Sequence, residues 1–149
     1  MIIEPDQFYF GGGVYSWSPE RGEASWEACY RRLDELLAGG AYRKVVILVG
    51  LPGCGKSTYT AANDAADVVV FDGLFIPPER RARVVAVAAK HGVPVEAVWI
   101  GTDLETCLAR NAGRSPDRRV PEDAIRRMKE ALDAAPPSLA EGLAAIHQV

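Results

Sequence analysis

The feature that most constrains this chain is the nine-residue run Gly50-Leu51-Pro52-Gly53-Cys54-Gly55-Lys56-Ser57-Thr58. It comes directly after Lys44–Val49 (KVVILV) and passes into a helix-forming stretch that begins near Lys56. KVVILV is too apolar for a strand with one face in water and reads as a strand buried on both faces, as in a parallel sheet. The run itself fits GxxxxGK[ST] at every position. Glycines let successive backbone N–H groups turn inward around an anion with no Cβ in the way, and the next helix adds the partial positive charge of its N-terminus. Lys56 is long enough to reach β- and γ-phosphate oxygens, and Ser57 offers a hydroxyl to Mg²⁺. Gly50, Pro52, Gly53, Cys54, Gly55, Lys56, Ser57 and Thr58 are therefore the candidate residues for binding a nucleoside triphosphate, ATP with Mg²⁺, and Lys56 is also a candidate catalytic group. Cys54 reads either as a small filler within the loop or as a thiol sensitised by the helix terminus.

Strand and helix alternate from Lys44 onward. A second apolar strand, residues 68–71 (VVVF), closes on Asp72, and a third spans residues 95–100. Pro77 and Pro78 open a helix, since proline is tolerated in a first turn, and that helix ends near His91–Gly92. Thr102-Asp103-Leu104-Glu105 has capping-box spacing and starts a helix through about Arg110. Pro121 opens a helix through about Ala134, Pro136–Pro137 breaks it, and residues 144–149 form a last short strand. Before this core, residues 7–17 read as a hairpin turning at Gly11–Gly13. Trp26, Cys29, Tyr30, Leu33, Leu36 and Leu37 recur at helical spacing until Gly39–Gly40 stops the helix. The expected fold is α/β, a three-layer phosphate-loop kinase fold with a parallel sheet plus an N-terminal β-hairpin and helix. It forms one domain: residues 1–42 are the hairpin and helix extension, and residues 43–149 are the nucleotide-binding core with a lid near 110–120.

Bulk properties narrow the function classes. No apolar run approaches the ~20 residues of a membrane span, and the first ten residues lack the basic start and apolar stretch of a signal peptide. A soluble cytoplasmic protein is expected (the host cytoplasm, were the gene carried by a phage). Three cysteines, Cys29, Cys54 and Cys107, are widely spaced with no CxxC, which fits reduced thiols better than disulfides or zinc. A net charge of −3 gives no global pull toward nucleic acid. Charge is uneven, however: Arg110, Arg114, Arg118, Arg119, Arg126, Arg127 and Lys129 fall within twenty residues, a pattern that suits either a polyanionic ligand or a solvated helix face.

Two further sites emerge. If residues 68–71 neighbour KVVILV, Asp72 lies at the carboxyl edge of the sheet beside the phosphate loop, where ligands of open α/β sheets bind. There it is a candidate to anchor Mg²⁺ or to accept a hydroxyl proton. The segment around Arg110-Asn111-Ala112-Gly113-Arg114 is a candidate mobile lid whose guanidinium groups spread over a γ-phosphate from the side opposite Lys56; Arg114 is the first choice and Arg110 the second.

With GLPGCGKST, the stretch VVVFDGLFIPPERRARVVAVAAKHGVPVEAVWIGTDLETCLARNAGRSPDRRVPEDAIRRM resembles the kinase domain of phage-type polynucleotide 5′-kinases and the zeta-toxin-like proteins grouped with them, over residues 44–132. The resemblance implies an ATP- and Mg²⁺-dependent kinase acting on a hydroxyl, usually on nucleic acid. It implies that Lys56 and Ser57 bind phosphates and Mg²⁺, that Arg114 is the lid arginine positioned by Arg110 and Asn111, and that Asp72 is a functional strand-end aspartate. One element of that family has no counterpart here. Its members carry a strand and an acceptor-binding helix with Asp-x-x-Arg between the phosphate-loop helix and the strand ending in the aspartate, and the Asp supplies the general base. Residues 59–67 are too few to hold it. Asp72 itself, or an N-terminal hairpin with Phe8, Tyr9, Phe10, Tyr15 and Trp17 stacking on a base, stands as a replacement.

The acceptor expected from this reading is a DNA 5′-hydroxyl or a hydroxymethyl pyrimidine in DNA. Alternatives are a small-molecule or nucleotide-sugar kinase and a nucleotide-dependent switch or ATPase. Oligomeric state and ATP against GTP stay open.

Overall fold

The structure is a computed structural model that describes residues 1–5, 10–11, 14–15 and 19–149. At its centre lies a five-stranded, wholly parallel sheet in the order β1-β5-β4-β6-β7. Its strands are β1 (Ile2–Ile3), β4 (Lys44–Val49), β5 (Val68–Asp72), β6 (Val95–Trp99) and β7 (Ala145–Gln148). Short strands β2 (Phe10–Gly11) and β3 (Val14–Tyr15) pair antiparallel in a separate ribbon. The remainder of the expected 7–17 hairpin, with Phe8, Tyr9 and Trp17, lies outside the described residues.

KVVILV becomes the middle strand for the reason its composition suggested. Val45 through Val49 are all buried, and β5 on one side and β6 on the other satisfy the backbone. Lys44, at the open end, is the exception and pairs with Glu96 of β6 at 3.0 Å. All five residues of β5 are buried as well, Asp72 among them.

Among the described residues five α-helices cover the sheet: α1 (Pro19–Ala38), α2 (Lys56–Asn63), α3 (Pro78–Lys90), α4 (Leu104–Ala112) and α5 (Glu122–Ala134). In α1 the apolar positions Trp26, Cys29, Tyr30, Leu33 and Leu37 turn inward together, and Gly40 ends the helix with φ +73°. The faces they cover are set by the alternation of β5. Phe71 stacks on Trp26 of α1 with ring centroids 5.6 Å apart, whereas the next residue, Asp72, meets Thr60 of α2. Successive strand residues point to opposite faces, so α1 and α2 lie on opposite sides of the sheet and the architecture has three layers. Trp26, Tyr30, Phe71 and Phe75 form an aromatic cluster on the α1 side, each such burial contributing roughly 1.5–3 kcal/mol.

Two local outcomes differ from the sequence reading. Asp103, rather than Thr102, caps α4: its carboxylate accepts from the Thr106 backbone N–H at 2.8 Å. The Thr102 hydroxyl is used elsewhere, because it faces the phosphate loop. Ile2–Ile3 also enters the sheet as an edge strand on β5, in register Ile2↔Val70 and Ile3↔Phe71, with Val70 donating its N–H to Met1 O at 2.8 Å. Two apolar residues are too short a run to show strand periodicity, so only the waiting edge of β5 reveals them.

A buried cation ties the far side together. Arg81 is fully buried; its Nη1 donates to Phe75 O and Ile76 O, and its Nη2 to Ala135 O and Glu141 Oε1, all at 2.8 Å. These bonds hold the turn after Asp72, in which Phe75 takes the left-handed φ of +46°, against the segment beyond α5.

Candidate functional site

The phosphate loop bridges β4 and α2, and its glycines are compelled at specific points. Gly53 and Gly55 have φ of +82° and +104°, which side chains with a Cβ rarely adopt. A Cβ on Gly53 would stand 2.7 Å from Cys107 O, and one on Gly50 would stand 2.5 Å from Cys54 Sγ. Gly55 occupies the N-cap of α2 with no side-chain cap, so the first-turn N–H groups of that helix have no partner from their own cap residue. A helix N-terminus of this kind is suited to an anion.

The loop's carbonyls are drawn outward by the neighbouring strand and helix. Thr102 Oγ1 donates to Cys54 O at 2.7 Å, and Arg110 Nη1 donates to Gly53 O at 3.2 Å. A trans peptide points its N–H opposite to its C=O, so fixing Cys54 O outward turns the Gly55 N–H toward the hollow. Lys56 Nζ folds back over the loop, 2.9 Å from Leu51 O and 3.5 Å from both Gly50 O and Cys54 Sγ. Among the described residues no carboxylate pairs with this ammonium. A part-buried cation held only by carbonyls and a thiol, inside a glycine cradle, fits a negatively charged ligand.

Asp72 sits on the adjoining strand, paired in register with Leu48 of β4 two residues before the loop. Thr60 Oγ1 lies 3.0 Å from Lys56 O and 3.3 Å from Asp72 Oδ2, its proton shared between them. Ser57 and Thr60 are three apart on α2 and so share a face of that helix. Ser57, which is exposed, therefore lies one turn before the residue that bonds the Asp72 carboxylate. Among the described residues no group of three or more His, Cys, Asp or Glu side chains is placed to hold a metal, so a divalent ion at Ser57 and Asp72 would complete its shell from phosphate and water, as Mg²⁺ commonly does.

The predicted lid comes after α4. Arg110, on the last turn of that helix, is the lid residue brought to the loop. Arg114 is exposed, and among the described residues no hydrogen bond joins it to residues 50–58. The base of the lid is clasped by Asn111, which is buried: its Nδ2 donates to Val120 O at 2.7 Å and its Oδ1 accepts from Val120 N at 2.9 Å. Arg119 Nη2 donates to Arg114 O at 2.9 Å across the lid. The rest of the basic cluster is largely neutralised on its own helix. Arg126 pairs with Glu122, Arg127 with Asp123 and Lys129 with Asp133, at 2.8, 2.8 and 2.7 Å.

On the β6–β7 side of the loop lies a cavity of about 390 Å³ lined by Leu51, Trp99, Thr102, Lys129 and Val149 among others. Cys54 of the loop and Cys107 of α4 are both buried, and burial, with Cys54 a lesser contributor, pushes the Cys107 thiol up. At the N-cap of α4, the Thr106 backbone N–H and hydroxyl hold the Asp103 carboxyl below the usual range. Sequence reasoning missed Thr60 and assigned Thr102 another role. For Thr60 the signal was present: a hydroxyl one helical face-step beyond Ser57, aimed at a strand-end acid.

A parallel sheet with its central strand running into an anion-binding loop and helix defines a P-loop nucleotide-binding protein of the α/β class. The chain belongs to a family of that kind: the family model described as an AAA domain matches residues 60–135. That match takes in Asp72, Arg110 and Arg114 and begins just past the phosphate loop, whose assignment stands on its own sequence and geometry. No curated protein matches the chain. Among the described residues no helix is long and apolar enough to cross a membrane.

Proposed function

We propose that this protein is an ATP- and Mg²⁺-dependent kinase that transfers the γ-phosphoryl group to a hydroxyl. The observation that carries the reading is Arg110: the chain's own lid helix brings a guanidinium to Gly53 O at 3.2 Å, on the loop that also holds Lys56. An arginine on the chain's own lid can stabilise the transferring phosphoryl group with no partner needed to supply one. With triphosphate bound, Lys56 would leave Leu51 O for phosphate oxygens, and Arg114 would come over the γ-phosphate as the lid closes. Ser57 and Asp72 would hold Mg²⁺, which would offset the charge of the phosphates. The cavity beside Leu51 and Trp99 is the place for the nucleobase.

In the transfer, the acceptor oxygen bonds to the γ-phosphorus, the bond from that phosphorus to the β–γ bridging oxygen breaks and ADP leaves. The hydroxyl proton passes to a carboxylate on the acceptor side.

Support for a nucleic-acid acceptor comes from the resemblance to polynucleotide 5′-kinases. The basic cluster adds less than its count suggests, because three of its seven cations are paired within α5. Titration calorimetry tests the donor half. Micromolar, Mg²⁺-dependent capture of ATP that is lost in Lys56→Ala is expected, and no Mg²⁺-dependent binding of any nucleoside triphosphate would refute the reading.

A further inference from the structure

Among the described residues Phe75 is the one non-glycine residue with a left-handed backbone, at φ +46°. A bulky side chain stays in that conformation only where its surroundings over-determine it, and such strain gathers next to functional groups. Phe75 lies three residues past Asp72, and the turn that contains it is gripped from three directions.

From the core, the Phe75 ring is fully buried and meets Trp26 and Phe71 edge-on, with centroids 5.1 and 4.8 Å away. From the phosphate loop, the Gly50 N–H donates to Leu74 O at 3.4 Å. From α3, Arg81 Nη1 donates to the next two carbonyls, Phe75 O and Ile76 O, at 2.8 Å each. Three successive carbonyls are therefore taken, two of them by a single nitrogen of one guanidinium.

Arg81 is itself fixed. Its Nη2 donates to Ala135 O and Glu141 Oε1 at 2.8 Å, and its Nε donates to Glu141 Oε1 at 3.0 Å. The other Glu141 oxygen accepts from Ser138 N at 2.8 Å, in the cap of the 3₁₀ turn Leu139–Glu141. A guanidinium bonded on all its edges is a rigid fork rather than a flexible tether. Packing α3 on the core does not require a buried ion pair, since apolar residues of like volume commonly serve as well. What Arg81 adds is a fixed position for two carbonyls just beyond Asp72.

That position matters because Asp72 is the last residue of β5. On its strand side it is held by pairing with Leu48, and one carboxylate oxygen lies 3.3 Å from the Thr60 hydroxyl. On its other side the chain passes straight into the turn, where a Cβ at Gly73 would lie 2.5 Å from the Trp26 ring. With no slack at Gly73, a displaced turn moves the strand end with it.

Resting on the kinase reading above, we propose that Arg81 is a positioning residue of this enzyme: by clamping Phe75 O and Ile76 O it presets the Asp72 carboxylate for the Mg²⁺ of bound ATP. Arg81 acts only through the turn.

The test is calorimetric titration of the full chain with ATP over a Mg²⁺ series, in wild type, Arg81→Lys, Asp72→Asn and the double variant, at a temperature where circular dichroism shows each folded. Lysine keeps the buried charge opposite Glu141 but not the fork. Arg81→Lys is expected to raise the Mg²⁺ concentration for half-maximal ATP affinity about tenfold, with ATP affinity in the absence of Mg²⁺ kept within about twofold. In the Asp72→Asn background the same change should move the Mg²⁺ midpoint by less than about twofold, because the two residues act through one contact. A merely structural role would lower ATP affinity with and without Mg²⁺, and equally in both backgrounds. Should Arg81→Lys not fold, Glu141→Gln, which weakens the pairing that fixes the fork, goes through the same cycle with an expected shift of about threefold. A Mg²⁺ midpoint within about twofold of wild type in a folded variant, or an equal shift with and without the Asp72 carboxylate, overturns the proposal. Absence of ATP binding by the wild-type chain at every Mg²⁺ concentration overturns the kinase reading instead, so the two failures are distinguishable.

Discussion

Thr60 Oγ1 lies 3.3 Å from Asp72 Oδ2, a bond that joins the helix leaving the phosphate loop to the end of the neighbouring strand. It couples two groups that sequence separates by a turn and a strand, and it helps set the orientation of the Asp72 carboxylate.

Asp72→Asn should lower phosphoryl transfer by at least about 100-fold and raise the Mg²⁺ concentration needed for half-maximal rate, because an amide binds the cation poorly. Thr60→Val, which removes only the orienting hydroxyl, should cost less in kcat and leave ATP affinity nearly intact. Steady-state kinetics across a Mg²⁺ series measures both. A drop of only a few-fold for Asp72→Asn would take that residue out of the site.

Gly50→Ala should prevent nucleotide binding through a clash that can be relieved. The new Cβ meets Cys54 Sγ at 2.5 Å but Ile100 O only at 3.3 Å. The double variant Gly50→Ala, Cys54→Ala should recover ATP binding in part, as expected for two contacting residues that do not act additively. Calorimetry of the two single variants and the double variant checks this.

Arg114→Ala and Arg110→Ala should differ in kind. Arg114, exposed on the lid, should lose transfer with the fold and ground-state ATP affinity retained. Arg110, which already contacts Gly53 O, should weaken ATP binding as well as transfer. Comparing Kd with kcat for each variant separates the two; wild-type turnover in Arg114→Ala would remove it from the site.

Arg81→Met should be the most damaging change away from the site. It strips Glu141 of its partner and leaves Phe75 O, Ile76 O and Ala135 O without their shared donor. Breaking a buried pair in this way costs about 3–5 kcal/mol, measurable as a shifted urea midpoint.

The Asp103 cap gives a pH signature. Its carboxyl is held below the usual range by the Thr106 N–H, so it binds a proton more readily unfolded than folded. The stability it adds is fully present above its unfolded value of about 4 and is lost as pH falls through the lower folded value. The melting-temperature gap between wild type and Asp103→Ala should be full at pH 6 and close toward pH 3.

Much of the sheet was legible because its determinants are local. KVVILV and VVVFD carry their own burial in their composition, and GLPGCGKST fixes a loop whose geometry only glycines allow. The helix start at Pro78 is set by a ring that fits a first turn, and Pro121 stands just ahead of the next helix as its N-cap. Those features specify an α/β nucleotide-binding protein before any contact is known. Ile2–Ile3, the Thr102 bond to Cys54 O and the Thr60 bond to Asp72 were settled only by folding. Each depends on a partner at least a dozen residues away, and a short apolar pair or a lone hydroxyl has no periodicity to announce it.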